Sequence, residues 1–417
     1  SYLAIGRQTG DLLKAVFEAD PDMVMAHCLK GYFLLLMGSG PLKARVPKSV
    51  TAAEAGLAGA TAREKAHLAA LTHWLADDSP AAARVWEEIL ADHPLDLLAM
   101  RLAHHTYFYL GAAGDMLGSI ERIISAWDVS IPGYGFVLGM RAFALEESGD
   151  YTAAEESGRA AVNIDVVNPW AIHAVAHVME MQDRHSEGID WITGLETHWN
   201  AANNFRYHLW WHRALMHLDR GELDEVLRLY DEDIWDPDSD EYLDLCNNVS
   251  LLLRLELLGV DVGNRWQALA EKAAGRSEER LLPFIDCHIV AALAAAAAVA
   301  AIATASGDKD RAGKLADIDF GVGGIAAFAA FDATRPVAAI GAIGAGRAAA
   351  ASGLPVAIGV APVDPAVAGL AVLPGVAGLA LGADDADIRC RLAAGHGFRH
   401  EIHVVFHSFV LPRGVIP

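Results

Sequence analysis

Turn signals recur through the middle of this chain at a nearly constant spacing, and this period restricts the fold more than any other feature. The signals are Gly114-Asp115, Gly149-Asp150, Asp183-Arg184 and Gly221-Glu222. Successive signals lie 35, 34 and 38 residues apart. A unit of this length is one helix–turn–helix, which stacks on its neighbours because it cannot bury its apolar face alone. The period therefore predicts stacked helix pairs with a continuous core.

The segments between the turns have the apolar spacing of amphipathic helices. In SPAAARVWEEILADHP, Ser79 is a capping residue and Pro94 marks the end of the helix. No segment shows the sustained alternation of a strand. About 34 residues is the tetratricopeptide length, and the small Ala153 and Ala154 after the Gly149 turn allow close helix packing. The sequence predicts an all-α fold, an α-solenoid of tetratricopeptide-like antiparallel helix pairs.

The composition changes near residue 290 and divides the chain into two predicted parts. Residues 1–290 form a tetratricopeptide-like helical repeat array. Residues 291–417 are rich in Ala, Gly and Val, and we expect a helical region that continues or caps the solenoid. The apolar runs there are weighted to Ala and Gly and broken by prolines, unlike the ~20 strongly apolar residues of a membrane span. We expect no membrane insertion.

Charge and cysteine content restrict the partners and the compartment. The chain has 54 acidic and 32 basic residues, a formal net charge of −22. Without a basic cluster it repels phosphate, so nucleic acid is not an expected partner.

The four cysteines have no paired spacing, which predicts free thiols, and the N-terminus lacks a signal-peptide pattern. These features favour a cytoplasmic location for the protein. The ends of a solenoid must be capped, and association of two or more copies of the chain as a homo-oligomer is one way to cap them.

Histidines occur in pairs with helical spacing on two consecutive predicted helix pairs. His173 and His177 are four residues apart, and His208 and His212 repeat the arrangement. Glu180 follows His177 by three residues, so that these side chains share one helix face. In a solenoid the first helices of successive pairs line the concave surface. We therefore expect the four imidazoles to converge there.

Further polar and aromatic residues accompany these histidines. FIDCHIVAAL places Asp286 and His288 at a helix start, and the expected ligand-binding wall consists of Trp170, Trp191, Trp210 and Trp211. Imidazoles suit zinc, iron or copper, so the four histidines are candidate ligands of a divalent transition metal. Glu180, Asp286 and His288 are the candidate catalytic or ligand-orienting groups. The alternative is that the histidines make structural hydrogen bonds and the tryptophans fill the core.

The histidine pattern matches no established metal motif. His173 is not followed by the glutamate of the zincin helix, and the order from His177 to Glu180 reverses that of ferritin-like di-iron sites. The chain also lacks a G-x-S-x-G nucleophile elbow and a phosphate-binding loop. The reaction class does not follow from any motif.

Five segments in order resemble the tetratricopeptide repeat protein 38 family over roughly residues 20–290. They are GYGFVLGMRAFALEESGDYTAAE, WAIHAVAHVMEMQDRHSEGIDW, HLWWHRALMHLDRGELDEVLRLYD, NNVSLLLRLELLGVDVGNRW and FIDCH. The resemblance implies an intracellular α-solenoid without a defined activity. The family's polar C-terminal segment is similar to GFRHEIHVVFHSF, which keeps His400, Val405, Phe406 and His407. Ile402, His403 and Val404 replace its expected Gln, Arg and Asp.

Two functions are consistent with these features. The first is a tetratricopeptide-type scaffold that holds a peptide or small-molecule ligand in a concave pocket rich in His and Trp. The alternative is a metal-assisted hydrolase or lyase that uses the clustered His, Glu and Asp residues. The predicted fold favours the scaffold, and convergence of the four imidazoles would favour the enzyme.

Overall fold

The computed structural model describes residues 8–306, and all regular structure in this range is helical. The α-helices are α1 (Thr9–Ala19), α2 (Val24–Leu36), α3 (Gly40–Lys43), α4 (Val46–Ala55), α5 (Ala62–Leu75), α6 (Ser79–Asp92), α7 (Leu97–Tyr109), α8 (Ala113–Ile123), α9 (Tyr134–Glu147), α10 (Tyr151–Ile164), α11 (Pro169–Met181), α12 (His185–Gly194), α13 (Glu196–Trp199), α14 (Phe205–Asp219), α15 (Leu223–Leu229), α16 (Tyr242–Leu257), α17 (Arg265–Ala274) and α18 (Pro283–Ser306). A 3₁₀ turn (Ile124–Ala126) follows α8, and a π turn (Tyr230–Ile234) follows α15. The all-α prediction is confirmed for this range. His400, Val405, Phe406 and His407 lie outside the described residues, as does most of the predicted region 291–417.

The helices pack in adjacent pairs along the chain. The pairs are α5–α6, α7–α8, α9–α10, α11–α12, α14–α15 and α16–α17. Their first helices begin at residues 62, 97, 134, 169, 205 and 242, so successive starts are 35 to 37 residues apart. This separation is close to the period of the turn signals in the sequence.

The first helix of every pair ends in the same backbone conformation. The residues with positive φ at these ends are Asp77, Gly111, Gly149, Asp183, Gly221 and Gly259. In each turn the next N–H donates to the carbonyl five residues earlier, for example from Asp150 to Leu145 at 2.9 Å. This is the Schellman arrangement, which satisfies the last carbonyls of the helix and favours glycine at the left-handed position. Four of the six positions are glycine for that reason.

One predicted turn signal is displaced in the structure. Gly114-Asp115 lies in the first turn of α8 rather than between the two helices. The turn is formed by Gly111, with φ +63°. Both glycines are close to the end of α7, but only the residue directly after the helix end needs the left-handed conformation.

A buried polar network joins the first helix pairs. Asp96 accepts hydrogen bonds from Arg63 Nε at 2.5 Å, from His67 Nε2 at 3.0 Å and from the backbone N–H of Ala99 at 3.0 Å, which caps α7. Tyr32 donates to the carbonyl of His67 at 2.6 Å. Burial alone would raise the pKa of Asp96, but the hydrogen bonds from His67 and Arg63 hold it well below its usual range.

We expect Asp96→Asn to lower the free energy of unfolding by about 2–3 kcal/mol at pH 7, because an amide cannot accept both charged-group hydrogen bonds. Since the folded-state pKa is depressed, the stabilisation is present above the unfolded pKa near 4 and is lost as the pH falls below it. The difference in the free energy of unfolding between the variant and the original protein should therefore be smaller at acidic pH. Urea unfolding at pH 7 and pH 3.5 measures it, with the exposed Asp92→Asn as control. A difference below 0.5 kcal/mol at pH 7 would contradict this role of Asp96.

The helix pairs curve so that early and late parts of the chain touch. The hydroxyls of Tyr109 in α7 and Tyr242 in α16 are 2.6 Å apart. Arg276, just after α17, donates to the carbonyl of Gly38, just after α2, and the Tyr242 ring packs against Gly38. Side chains from the first helices of several pairs thus line one common cavity.

The predicted boundary at residue 290 falls inside α18, which is 24 residues long. Even so, none of the helices within residues 8–306 is long and apolar enough to cross a membrane. Cys28, Cys246 and Cys287 are free thiols, and Cys390 lies outside the described residues.

Candidate metal centre

Two adjacent first helices carry the four paired histidines to the cavity. Asn168 caps α11 by accepting from the N–H groups of Trp170 and Ala171, and Pro169 occupies the first turn. Four residues make slightly more than one helical turn, so His173 and His177 project from one face of α11. The same spacing on α14 directs the second histidine pair toward them.

The four Nε2 atoms form a closed ring of short contacts. Nε2 of His173 is 2.9 Å from that of His177 and 2.9 Å from that of His208. Nε2 of His212 is 3.1 Å from that of His177 and 3.2 Å from that of His208. The structure therefore brings all four predicted metal ligands to one point, and one nitrogen of each lies within 4.8 Å of the others.

The opposite ring nitrogens of three histidines face oxygen acceptors. These pairs are His212 Nδ1 with Glu180 Oε2 at 2.9 Å, His208 Nδ1 with Asn247 Oδ1 at 3.0 Å, and His177 Nδ1 with Glu146 Oε2 at 3.5 Å. A carboxylate or amide oxygen only accepts, and a neutral imidazole has one N–H. The His212 and His208 rings consequently carry their proton on Nδ1 and an unshared electron pair on Nε2, whereas the 3.5 Å separation between His177 Nδ1 and Glu146 Oε2 does not fix the tautomer of His177.

His208 and His212 therefore direct their Nε2 lone pairs toward each other across 3.2 Å. Such an arrangement is repulsive unless a cation occupies the point where the lone pairs meet. Metal-bound histidines show the same pattern, since their second N–H is usually donated to a carboxylate or carbonyl.

The nitrogen spacing also fits a four-coordinate ion. Ligand nitrogens about 2.05 Å from one ion lie about 3.3 Å apart in a tetrahedron and about 2.9 Å apart in a square. The four separations between neighbouring Nε2 atoms are 2.9, 2.9, 3.1 and 3.2 Å. They lie between the values for the edges of the two geometries.

Burial favours the neutral forms of His173, His177 and His208, and metal coordination requires neutral imidazoles. Burial lowers the pKa of His208 to about 3 and that of His173 well below its usual value, with the neighbouring histidines adding to the shift. Burial lowers the pKa of His177 as well, opposed by the charges of Glu180 and Glu147. Protons therefore compete weakly for these nitrogens at neutral pH.

The cluster lies in the wall of a cavity of about 330 Å³. Trp170 and Trp211, both predicted ligand-binding residues, line it together with Glu180. The Trp211 indole stacks on the His208 ring, with ring centroids 5.2 Å apart and planes 13° apart. The other walls of the cavity are mainly aromatic and apolar and include Phe108 and Phe143.

Glu147 is a cavity residue that sequence reasoning missed. One of its carboxylate oxygens lies within 4.8 Å of a His177 ring nitrogen, and burial together with Glu146 raises the pKa of Glu147 to about 7. A signal was present in the sequence, because Glu146 lies 34 residues before Glu180. It marked α9 as the helix equivalent to α11.

Four predicted site residues are not brought to the cluster. Trp191 donates to the Ile172 carbonyl at 3.0 Å and packs in the core, and Trp210 packs against Trp199 with ring centroids 5.0 Å apart. His288 is fully buried and its Nδ1 donates to the Phe284 carbonyl at 2.7 Å. Asp286 is not among the residues that line the cavity. For Trp191, Trp210 and His288 the structure supports packing roles.

Known protein families give no independent guide to this site, since no family model matches the chain.

Proposed function

We propose that this chain is a metal-assisted hydrolase or lyase that holds one divalent transition-metal ion on His173, His177, His208 and His212. The observation that carries the proposal is the convergence of four Nε2 atoms, each 2.9–3.2 Å from two others, with the lone pairs of His208 and His212 directed at each other. In a purely structural set one ring of that pair would donate to the other, because a buried polar contact without a proton costs about 1–3 kcal/mol.

The surrounding acidic residues have distinct roles in this proposal. Glu180 accepts the Nδ1–H group of His212 and so holds that ring in the tautomer that coordinates. Glu146 lies 3.5 Å from His177 Nδ1 and adds negative charge beside that ring. Glu147, which lines the cavity beside His177, is placed to take or give a proton at the substrate. A bound ion would supply Lewis-acid polarisation of a substrate carbonyl, for which it would have to accept the carbonyl oxygen as a further ligand beside the four imidazoles.

The cavity suits a small molecule better than a peptide. Its volume of about 330 Å³ is at the lower end of the range for small-molecule sites. The Tyr109–Tyr242 contact and the Arg276 bond to the Gly38 carbonyl join the two sides around it. Of the two functions considered from the sequence, a peptide-holding scaffold is therefore the less favoured.

The fold proposal is an α-solenoid of tetratricopeptide-like pairs, closed around the cavity, in a chain related to the tetratricopeptide repeat protein 38 family. The 35- to 37-residue separation of the first helices supports the repeat. The resembling segments supply the helices of the candidate site, α9, α11 and α14.

Hydrolysis of 4-nitrophenyl hexanoate by the full chain tests the function. We expect protein dialysed against a chelator to be inactive and one equivalent of Zn²⁺ or Co²⁺ to restore turnover. The bound ion should also stabilise the fold by about 4 kcal/mol at a thousandfold excess over Kd. Equal turnover with and without metal, or no stabilisation by either metal, would contradict the proposal.

A further inference from the structure

The described residues that line the cavity carry more negative than positive charge. Their carboxylates are Glu147, Glu180 and Glu241, and their only Lys or Arg is Arg101, three charges against one and a formal charge of −2. Two of these carboxylates, Glu147 and Glu180, lie beside the histidine cluster together with Glu146, where they can balance a divalent ion. Glu241 is on a different helix, α16. Such a cavity attracts a cation rather than an anion.

Glu241 is a buried carboxylate at the start of α16. It caps this helix by accepting from the backbone N–H of Leu243 at 3.0 Å. Burial and the neighbouring charge of Asp244 raise the pKa of Glu241 to about 8, and the charge of Arg276 opposes that shift. Arg276 itself pairs with Glu279 at 2.9 Å. A cation in the cavity beside Glu241 would favour its ionised form and offset the repulsion by Asp244.

Three aromatic side chains line the cavity near Glu241. The hydroxyls of Tyr109 and Tyr242 are 2.6 Å apart, and the ring centroids of Tyr109 and Phe284 are 6.3 Å apart. Burial raises the pKa of both tyrosines, and the nearby charge of Glu241 adds to that shift. Aromatic faces attract an ammonium group, and the attraction is stronger where water is excluded. This combination of a carboxylate with aromatic rings suits an organic cation.

The helix α16 sets the distance from Glu241 to the histidine cluster. Asn247, whose Oδ1 accepts from His208 Nδ1 at 3.0 Å, follows Glu241 by six residues. At 1.5 Å per residue, the two positions are about 9 Å apart along the helix axis. The cavity's own cation, Arg101, stacks instead on Trp170 of α11, 4.2 Å from the ring centroid. A ligand that reaches both ends therefore needs an apolar body of roughly this helical length.

We propose that the substrate is a small carbonyl compound whose apolar body ends in a primary ammonium group, which pairs with Glu241 while the carbonyl meets the histidine cluster. The reacting end rests on the proposed function, whereas the ammonium end rests on Glu241 and the three aromatic rings. A primary ammonium fits better than a quaternary one, because its N–H groups donate to the carboxylate as well as facing the rings.

Two hydroxamates of equal chain length test the ammonium end. The first, 6-aminohexanohydroxamic acid, carries a terminal ammonium group, and heptanohydroxamic acid carries a methyl group at the same position. In the zinc-loaded full chain, calorimetry should give a Kd about 10- to 100-fold lower for the amine, the effect of one charge-assisted pair. Equal affinities would overturn the inference. Tighter binding of the trimethylammonium analogue than of the amine would overturn the choice of a primary ammonium.

Substitutions locate the effect at Glu241. Glu241→Gln keeps an oxygen that can cap α16 but removes the charge, so the preference for the amine should fall to within about twofold. Asp240→Asn removes an exposed charge one residue away, outside the cavity, and should leave the preference unchanged. Both variants should bind heptanohydroxamic acid as the original chain does, which shows that the cavity is intact. A full preference in Glu241→Gln, or an equal loss in Asp240→Asn, would overturn the inference.

Hexylammonium binding to the metal-free original chain separates this inference from the proposed function. Hexan-1-ol is the uncharged probe of the same length. We expect hexylammonium to bind more tightly than hexan-1-ol, and Glu241→Gln to remove that difference. Hexylammonium binding without any hydroxamate binding in the presence of zinc would contradict the metal centre. Equal binding of hexylammonium and hexan-1-ol would contradict the ammonium site, whatever the metal does.

Discussion

The His173→Gln/His208→Gln double variant should lose metal binding, with a Kd for Zn²⁺ at least about 10⁴-fold above that of the original chain. A structural zinc site contributes about 10–16 kcal/mol through four ligands, or about 3 kcal/mol for each. Two lost ligands therefore cost about 6 kcal/mol, and 1.4 kcal/mol is tenfold in Kd. Competition with a chromophoric chelator measures the change, and circular dichroism shows whether the helices persist.

Two further variants grade this effect. Glu180→Gln replaces the carboxylate that accepts the His212 Nδ1–H with an uncharged amide but leaves all four ligands, so we expect Zn²⁺ to bind only about 10- to 100-fold more weakly. His105→Gln changes a cavity histidine outside the cluster and should leave the affinity unaltered. Stoichiometric zinc in the folded double variant would place the site elsewhere.

Glu147→Gln should lower kcat for 4-nitrophenyl hexanoate by about 10²–10⁴-fold, the usual contribution of a positioned acid–base group. The amide keeps the size of the side chain but neither takes nor gives a proton. Because Glu147 is placed beside His177 rather than in the ring of four nitrogens, we expect metal stoichiometry to stay at one per chain. Steady-state kinetics with metal analysis on the same samples measures both quantities.

Glu156→Gln is the control for that experiment, since Glu156 is exposed on α10. It should match the original chain in kcat and in metal content. If Glu147→Gln retained full kcat, Glu147 would not be the proton-transfer group. If it lost the metal together with activity, Glu147 would be a ligand rather than an acid–base group.

The sequence was sufficient to predict the helical class and the pairing of the histidines, because both follow from local spacing. His173 and His177 share a helix face wherever α11 packs, and the 34-residue period places α14 in the equivalent position. The same argument places Glu180 on the helix face that carries His173 and His177. Each of these predictions needed only helix periodicity.

Helix periodicity also explains the misplaced tryptophans. At about 100° per residue, Trp211 lies about 60° from the His208 direction on α14, whereas Trp210 lies about 160° from it. Trp211 accordingly lines the cavity and Trp210 packs against Trp199. Trp191 belongs to α12, the second helix of its pair, and its indole N–H donates to the Ile172 carbonyl of α11.

The contacts that join the two sides of the cavity, and the burial of Glu147, cannot be predicted from local sequence patterns. The contact of Tyr109 with Tyr242 spans 133 residues, and that of Gly38 with Arg276 spans 238. Such contacts depend on how all the intervening helices pack, which no single segment encodes. The pKa of Glu147 is raised because the packed helices bury its side chain and because the charge of the adjacent Glu146 repels a second negative charge.

X-ray absorption at the metal edge of the full chain, loaded with one equivalent of Zn²⁺, tests the four-histidine centre most directly. The account predicts one ion per chain with four nitrogen ligands at about 2.0–2.1 Å and the outer-shell scattering of imidazole rings. A first shell of oxygen or sulfur, or zinc that washes off at substoichiometric levels, would contradict it.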